Sequence, residues 1–440
     1  MKSIFFGVLL IAYGGLFSAF AQRPVLSDAE KVLGLSRLWA GIRYNSAYFD
    51  DIKLDWDSLY SASVSKVLVL KDPYDYAKEL ERIAALVGDG HTYVYHNIVP
   101  PVEDRITPAP FTTRFVEGKV WVDKVWATRL EEKGVRRGTE VISIDGTDVL
   151  AYGEKQLGQY VASSTPQWLY YNVFNRYELT KGKRTELITV GFRNKKKEFT
   201  VTIDRDMSWD IQEREQRNPV KKEGENEYFT MRYTVLKNNI GLLKIRHFMD
   251  DDFYRLFDSL YPRILASDAL IIDLRDNRGG RSNYADYIIR HLSDKPVQTD
   301  GWSSPMYIPA HVSWNYPREW YASAPDFLDP VDKEIYKKKV VVLVNAGTFS
   351  SAENFCALFQ GMKRGKIVGV PTGGSTGNGV RLTLLEDLMW ANICSMKENM
   401  PDGTAFVRVG IQPDIEMEET VEAFLTNKDN VLEKAARFLQ

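Results

Sequence analysis

A hydroxyl presented at the start of a helix, facing a glycine-lined bend, can carry out acyl transfer, and two segments of this 440-residue chain supply those parts. Thr348-Phe349-Ser350-Ser351 follows the apolar run Val340 to Val344 and the turn Asn345-Ala346-Gly347. It precedes a helical stretch with Phe355, Leu358, Phe359 and Met362 on one face. A serine on a strand-to-helix turn is exposed and sits at the positive end of the helix dipole, so Ser350 is a candidate nucleophile. A second apolar run, Ala269 to Leu274, leads into Arg275-Asp276-Asn277-Arg278-Gly279-Gly280 and a helix from about Tyr284 to Leu292. Right-handed crossovers put both loops at the carboxyl ends of their strands, across one crevice. There the N–H of Ser351, with one from Gly279 or Gly280, can bind an oxyanion, glycine allowing the close approach. The Ser350 turn alone has a plainer reading, since Ser and Thr before a helix are usually N-caps. The pairing of the two loops favours catalysis.

These loops belong to the last of three predicted regions. From Ser27 to about Val87 apolar residues recur at helical steps (Leu33, Leu35, Leu38, Trp39, then Tyr76, Leu80, Ile83, Ala84, Val87), ending in Gly88-Asp89-Gly90-His91-Thr92 and a strand at Tyr93 to Tyr95. Pro100-Pro101, Pro108 and Pro110 mark a linker. Short alternating stretches at Val120 to Val125, Val141 to Ile144, Leu187 to Phe192 and Phe199 to Ile203 then predict a β-rich module. From Tyr228 strands alternate with helices, as in an α/β domain with a parallel sheet. The boundaries are 1–21 for a signal peptide, 22–105 for a helical domain, 106–206 for the β-rich domain and 207–440 for the α/β core. Lys2, the apolar run Ile4 to Phe17 and Ala19-Phe20-Ala21 carry the signal reading. The run is short of the roughly 20 residues that span a bilayer, so no membrane span is expected after cleavage and the product is expected to be periplasmic or secreted.

Composition narrows the function. Lys plus Arg 57 against Asp plus Glu 59 leaves a formal charge of −2, which offers no global field to nucleic acid or anionic lipid. There is no HExxH, CxxC pair or EF-hand loop, and the glycine-rich runs lack dinucleotide or P-loop spacing, so no metal or cofactor is expected. Cys356 falls in a predicted helix among apolar neighbours, as a buried free thiol does. Aromatic residues between Trp302 and Trp320 either line a substrate groove or pack a long loop.

Four segments carry a family resemblance. "VVVLVNAGTFSSAENF" (340–355) resembles the nucleophile strand, turn and helix of C-terminal processing peptidases, the tail-specific protease and tricorn-core type, and "LIIDLRDNRGG" (270–280) resembles their oxyanion loop. "VGDGHTYV" (87–94) and "GIQPDIEM" (410–417) are similar to two further landmarks, and "GVRRGTEVISIDG" (134–146) resembles a segment of PDZ domains, in which a peptide can add as an edge strand. The resemblance implies a ClpP/crotonase-like α/β core with an N-terminal helical domain and a PDZ-like domain, and an exported serine peptidase acting on peptide or protein substrates, with Ser350 as nucleophile and Ser351 as oxyanion donor. Glu353 matches a carboxylate of structural role. The bacterial relatives' dyad lysine lies 25 positions after the nucleophile, and here that position is Ser375, with Lys366 out of register. The tricorn-like branch uses a histidine from the segment containing His91, whose imidazole suits proton transfer at neutral pH. His96 is its nearest rival, and His247, His291 and His311 lie in segments without a catalytic signature. The branch's orienting glutamate has no match in Ala405 to Arg408; Glu398 and Asp402 are the nearby acids, and a backbone carbonyl or a hydroxyl could serve equally. The missing lysine keeps a second reading open, a non-catalytic peptide- or lipid-binding protein on a peptidase scaffold. A third is an esterase or other acyl hydrolase.

Overall fold

The computed structural model describes residues 25–100, 104–195, 197–205, 229–299 and 301–440. The signal-like segment 1–21 and the charged stretch Glu213 to Glu227 lie outside them.

The central element is a six-stranded sheet in the order Met231–Val235, Ile240–Ile245, Ala269–Asp273, Lys339–Val344, Lys366–Gly369, Ile415–Glu416. The first pair is antiparallel and the rest are parallel. Alternate side chains of a strand point to opposite faces. Accordingly Leu270, Ile272, Val340 and Val342 join one core, while Ile271, Val341, Leu343 and Val368 pack on the other face with Val431, Ala435 and Leu439 of the last helix. Both faces are covered, which is why these strands read as unbroken apolar runs. Helix Ser351–Gly361 is buried from Ser351 through Phe359, as a helix in the middle of a core must be. The segment Gly410 to Met417 closes the sheet edge: Asp414 accepts the Ile367 amide at 2.8 Å and pairs with Lys366 at 3.1 Å.

Helices Asp28–Asn45, Trp56–Val69 and Pro73–Ala85 form the N-terminal layer, each started by an acidic or hydroxyl cap at Ser27, Asp55 or Asp72. Their core is completed by Leu384, Ala391 and Ile393 from the distant hairpin Gly379–Leu385 and Met389–Cys394. Strand Tyr93–His96 pairs with that hairpin, Tyr93 opposite Asn392. The turn carrying His91 is thereby tied to the α/β region.

The β-rich module is an antiparallel sheet in the order Phe111–Val116, Lys119–Val125, Glu140–Ile144, Leu187–Asn194, Lys197–Asp204. Its hairpin turn Asp145-Gly146 has positive φ at both residues (48° and 78°), the backbone a two-residue turn of the mirror-image type requires. Helix Pro166–Phe174 leaves this module, capped by Thr165 and opened by Pro166, and runs to the carboxyl edge of the central sheet.

Candidate active site

The carboxyl ends of two neighbouring parallel strands, Ala269–Asp273 and Lys339–Val344, build the site. Their loops are bonded together: the Asp276 amide donates to Asn345 Oδ1 at 2.9 Å, the Phe349 amide to the Asn277 carbonyl at 2.9 Å, and Ser351 Oγ to the Gly280 carbonyl at 2.7 Å. Ser350 sits between strand and helix with φ 58° and ψ −129°, a conformation costly for a residue with a side chain and found where a turn is held by its surroundings. Its amide donates to the Ser375 carbonyl at 3.1 Å and to Glu353 Oε2 at 3.2 Å.

His91 arrives from the N-terminal layer, with Nε2 at 3.0 Å from Ser350 Oγ. Its backbone carbonyl accepts from Asn392 Nδ2 at 2.6 Å, and its ring stacks on Phe349 at 4.8 Å. Phe349 stacks in turn on Trp168 of the β-module helix, with centroids 3.9 Å apart. The imidazole is therefore set by three regions of the chain at once. Burial lowers its pKa below the ordinary value, against the opposing pull of the Asp89 and Glu398 carboxylates, so the neutral, proton-accepting form is favoured at neutral pH.

The candidate oxyanion donors are the amides of Gly279, Gly280 and Ser351. The Gly279 amide already donates to Asn277 Oδ1 at 2.8 Å. The amides of Gly280 and Ser351 have no recorded partner among the described residues. Gly279 has φ +87°, and a Cβ there would lie 2.7 Å from Ser350 Cβ and 2.8 Å from the Ser351 nitrogen. Gly279→Ala is expected to push the two loops apart and lower kcat about 10²-fold, the scale of losing one oxyanion donor, with circular dichroism unchanged. A variant with wild-type kcat would show that this close approach is dispensable.

Of the two acids near the final motif, Glu398 lies close to the site but makes no recorded hydrogen bond to His91: its Oε2 accepts from Thr376 Oγ1 at 2.7 Å and Asn354 Nδ2 at 2.9 Å. Asp402 is on an exposed turn, where Oδ1 accepts the Thr404 amide at 2.9 Å. The groups that do reach the imidazole are ones that sequence reasoning did not single out as orienting residues. His91 Nδ1 lies 2.9 Å from Ser375 Oγ, and Ser375 Oγ donates to Asp89 Oδ1 at 3.1 Å. The available signal was that Ser375 stands at the register of the relatives' lysine and Asp89 two positions before His91. Glu353 holds the surrounding loop, accepting from Thr372 Oγ1 at 2.5 Å, Gly374 N at 2.7 Å and Ser375 N at 3.0 Å.

The remaining histidines are placed elsewhere. His96 faces Glu81 at 3.7 Å, His291 is enclosed by Phe257, Tyr261 and Tyr287, and His311 contacts Glu319 at 2.5 Å. The aromatic stretch after Trp302 forms the hairpin Trp302–Met306 and Glu319–Ser323. That hairpin borders a cavity of about 210 Å³ lined by Arg43, Tyr307 and Arg318 among others, not by Ser350 or His91. Cys356 is a buried free thiol.

Residues 239–417, which carry both loops and the closing Gly410 to Met417 segment, match the sequence model of peptidase family S41. These residues belong to peptidase family S41. The enzyme class follows, a serine-type peptidase. Among solved structures the chain is similar to mature CPAF complexed with lactacystin (14% identity, TM-score 0.67, covering 94% of this chain and 98% of that one) and to mature CPAF alone (14%, 0.66, 94% and 96%). It is also similar to a candidate peptidase from Parabacteroides merdae (17%, 0.53, 94% and 97%). At these identities the likeness is one of fold, and it extends over the helical and β-rich regions of this chain as well as its core.

Proposed function

We propose that this S41 peptidase cleaves peptide bonds through an acyl-enzyme on Ser350, with His91 as general base and the amides of Ser351 and Gly280 binding the oxyanion. The observation that carries the reading is the 3.0 Å contact between Ser350 Oγ and His91 Nε2, with the Ser351 and Gly280 amides unpartnered among the described residues. A serine hydroxyl loses its proton at neutral pH only with a base in reach, and no lysine occupies the register where the relatives keep theirs. His91 takes the Ser350 proton as Oγ attacks the carbonyl carbon, then returns it to the leaving amine. Water, deprotonated by the same imidazole, releases the acyl group. Gly280 is preferred to Gly279 as donor because the Gly279 amide is already committed to Asn277.

The signal-like start supports export, and the β-rich module, with its PDZ-like segment, supports capture of an extended peptide before cleavage, including one ending in a free C-terminus. The test is a peptide library incubated with the purified chain, read by mass spectrometry, with and without a serine-directed phosphonylating reagent. Cleavage abolished by the reagent is expected. A folded protein that cuts no peptide, or cleavage indifferent to the reagent, would remove the reading and favour the binding-protein alternative.

A further inference from the structure

Among the described residues no carboxylate is in hydrogen-bond contact with the His91 ring, yet an imidazole that must take a proton from serine works best when one tautomer is fixed and the developing charge is balanced. Behind the ring, Ser375 and Asp89 are both fully buried, and their hydroxyl and carboxylate are bonded to each other. We infer that Asp89 is the orienting carboxylate of this site and acts through the Ser375 hydroxyl, forming the chain Asp89, Ser375, His91, Ser350. The inference rests on the reading of Ser350 and His91 as nucleophile and base.

The proton count leaves one arrangement. An ionised carboxylate only accepts, so the Ser375 hydroxyl, 3.1 Å from Asp89 Oδ1, points its single proton there. The face that Ser375 Oγ turns to His91 is then a lone pair, and at 2.9 Å it requires a proton on Nδ1. Nε2 is left bare, 3.0 Å from the Ser350 hydroxyl, ready to accept. This is the tautomer that a directly bonded aspartate would enforce, obtained with one hydroxyl interposed. When His91 becomes imidazolium, the negative charge of Asp89 lies one hydroxyl away in a site largely screened from water, where such an interaction is stronger than in bulk.

Both members are held rigidly. Asp89 Oδ2 accepts from the His91 amide at 3.1 Å and from Thr92 Oγ1 at 2.9 Å, and Thr92 Oγ1 accepts from the Cys394 amide at 3.1 Å. Ser375 donates its amide to Glu353 and accepts the Ser350 amide on its carbonyl. The charged and titratable groups around this chain are Asp89 on the histidine's own turn, Glu398 from the strand at 397–398 and Glu353 from the helix. Tyr48, Cys394 and Arg408 lie behind Asp89. Glu398 is occupied by Thr376 and Asn354 and acts on His91 through its field alone.

Positioning is separable from mere stability by its kinetic signature. Ser375→Ala and Asp89→Asn are expected to lower kcat by on the order of 10²–10³-fold while KM changes little, because they loosen the tautomer and leave substrate contacts intact. Ser375→Thr, which keeps the hydroxyl, should recover most of the loss. Asp89→Asn should also move the acid limb of the rate profile to lower pH, since a charge that raises the His91 pKa is gone. The double variant should be no slower than the worse single, as members of one chain fail together. Glu398→Gln should stay within about tenfold of wild type. Ser350→Ala and His91→Ala run in parallel. If those two retain activity, the peptidase reading itself falls. If they are dead while Ser375→Ala keeps wild-type kcat, or if Glu398→Gln alone is crippling, only the Asp89 assignment is overturned. Should Asp89→Asn melt early in a thermal scan, the Ala and Thr variants at 375 decide the matter.

Discussion

Ser350→Ala and His91→Ala are each expected to reduce peptide-bond cleavage by about 10⁴-fold or more, and the double variant to fall no further, because the proposed nucleophile and base would act as one unit. The reason is geometric. On the proposed reading Ser350 Oγ loses its proton to the imidazole nitrogen 3.0 Å away, and either variant abolishes that transfer. The residual rate should be that of the oxyanion donors and substrate binding. The wild-type acid limb reports the same imidazole: burial lowers its pKa, so activity should rise with pH through a midpoint below about 6.5 and be on its plateau by pH 7.5. Effects that multiply in the double variant would separate the two residues into independent roles.

Glu353→Ala is expected to be the most damaging change to stability around the site. The carboxylate is fully buried and accepts from Thr372 Oγ1, Gly374 N, Ser375 N and Ser350 N, so its removal leaves three buried donors unpaired, the Ser350 amide keeping its bond to the Ser375 carbonyl. A loss of about 3–5 kcal/mol is expected at pH 5, with the 372–375 loop disordered and cleavage lost with it. The pH dependence has a definite sign. Burial pushes Glu353 up to about 7 from an ordinary 4.5, working against the four donated bonds. A carboxyl raised in the folded state contributes stability that is fully present below its unfolded pKa and is lost as pH rises through the folded one. The difference between wild type and Glu353→Ala should therefore shrink by on the order of 1–3 kcal/mol from pH 5 to pH 8. Urea denaturation followed by tryptophan fluorescence measures it, and a difference that stays constant over that range would show that the buried carboxylate is ionised throughout.

Much of this was legible in the residues and some was not, for physical reasons. Strands such as Ala269–Asp273 and Lys339–Val344 are buried on both faces and so write themselves as apolar runs, and the turns at their ends were fixed by glycine and hydroxyl chemistry. Helix Ser351–Gly361 is apolar around most of its circumference, so its existence was clear even though its buried Glu353 gave no periodic signal. The hairpin Gly379–Leu385 and Met389–Cys394 completes the N-terminal core from some 300 residues away in sequence, a contact no local pattern encodes. Ser375 was passed over because a hydroxyl in the glycine-rich stretch 371–379 has neither periodicity nor charge, and only its register with the relatives' lysine marks it. Glu398 and Asp402 illustrate the converse. They are neighbours in sequence, yet one bonds to Thr376 and Asn354 and reaches His91 through its field alone, while the other caps an exposed turn.

The most direct measurement is the mass and position of the adduct formed when the full chain meets a phosphonylating reagent at pH 7.5. One equivalent on the peptide containing Ser350, formed far more slowly in His91→Ala, is the expected result. An adduct on Ser351, Ser375 or another hydroxyl, or none on a folded protein, would contradict the account.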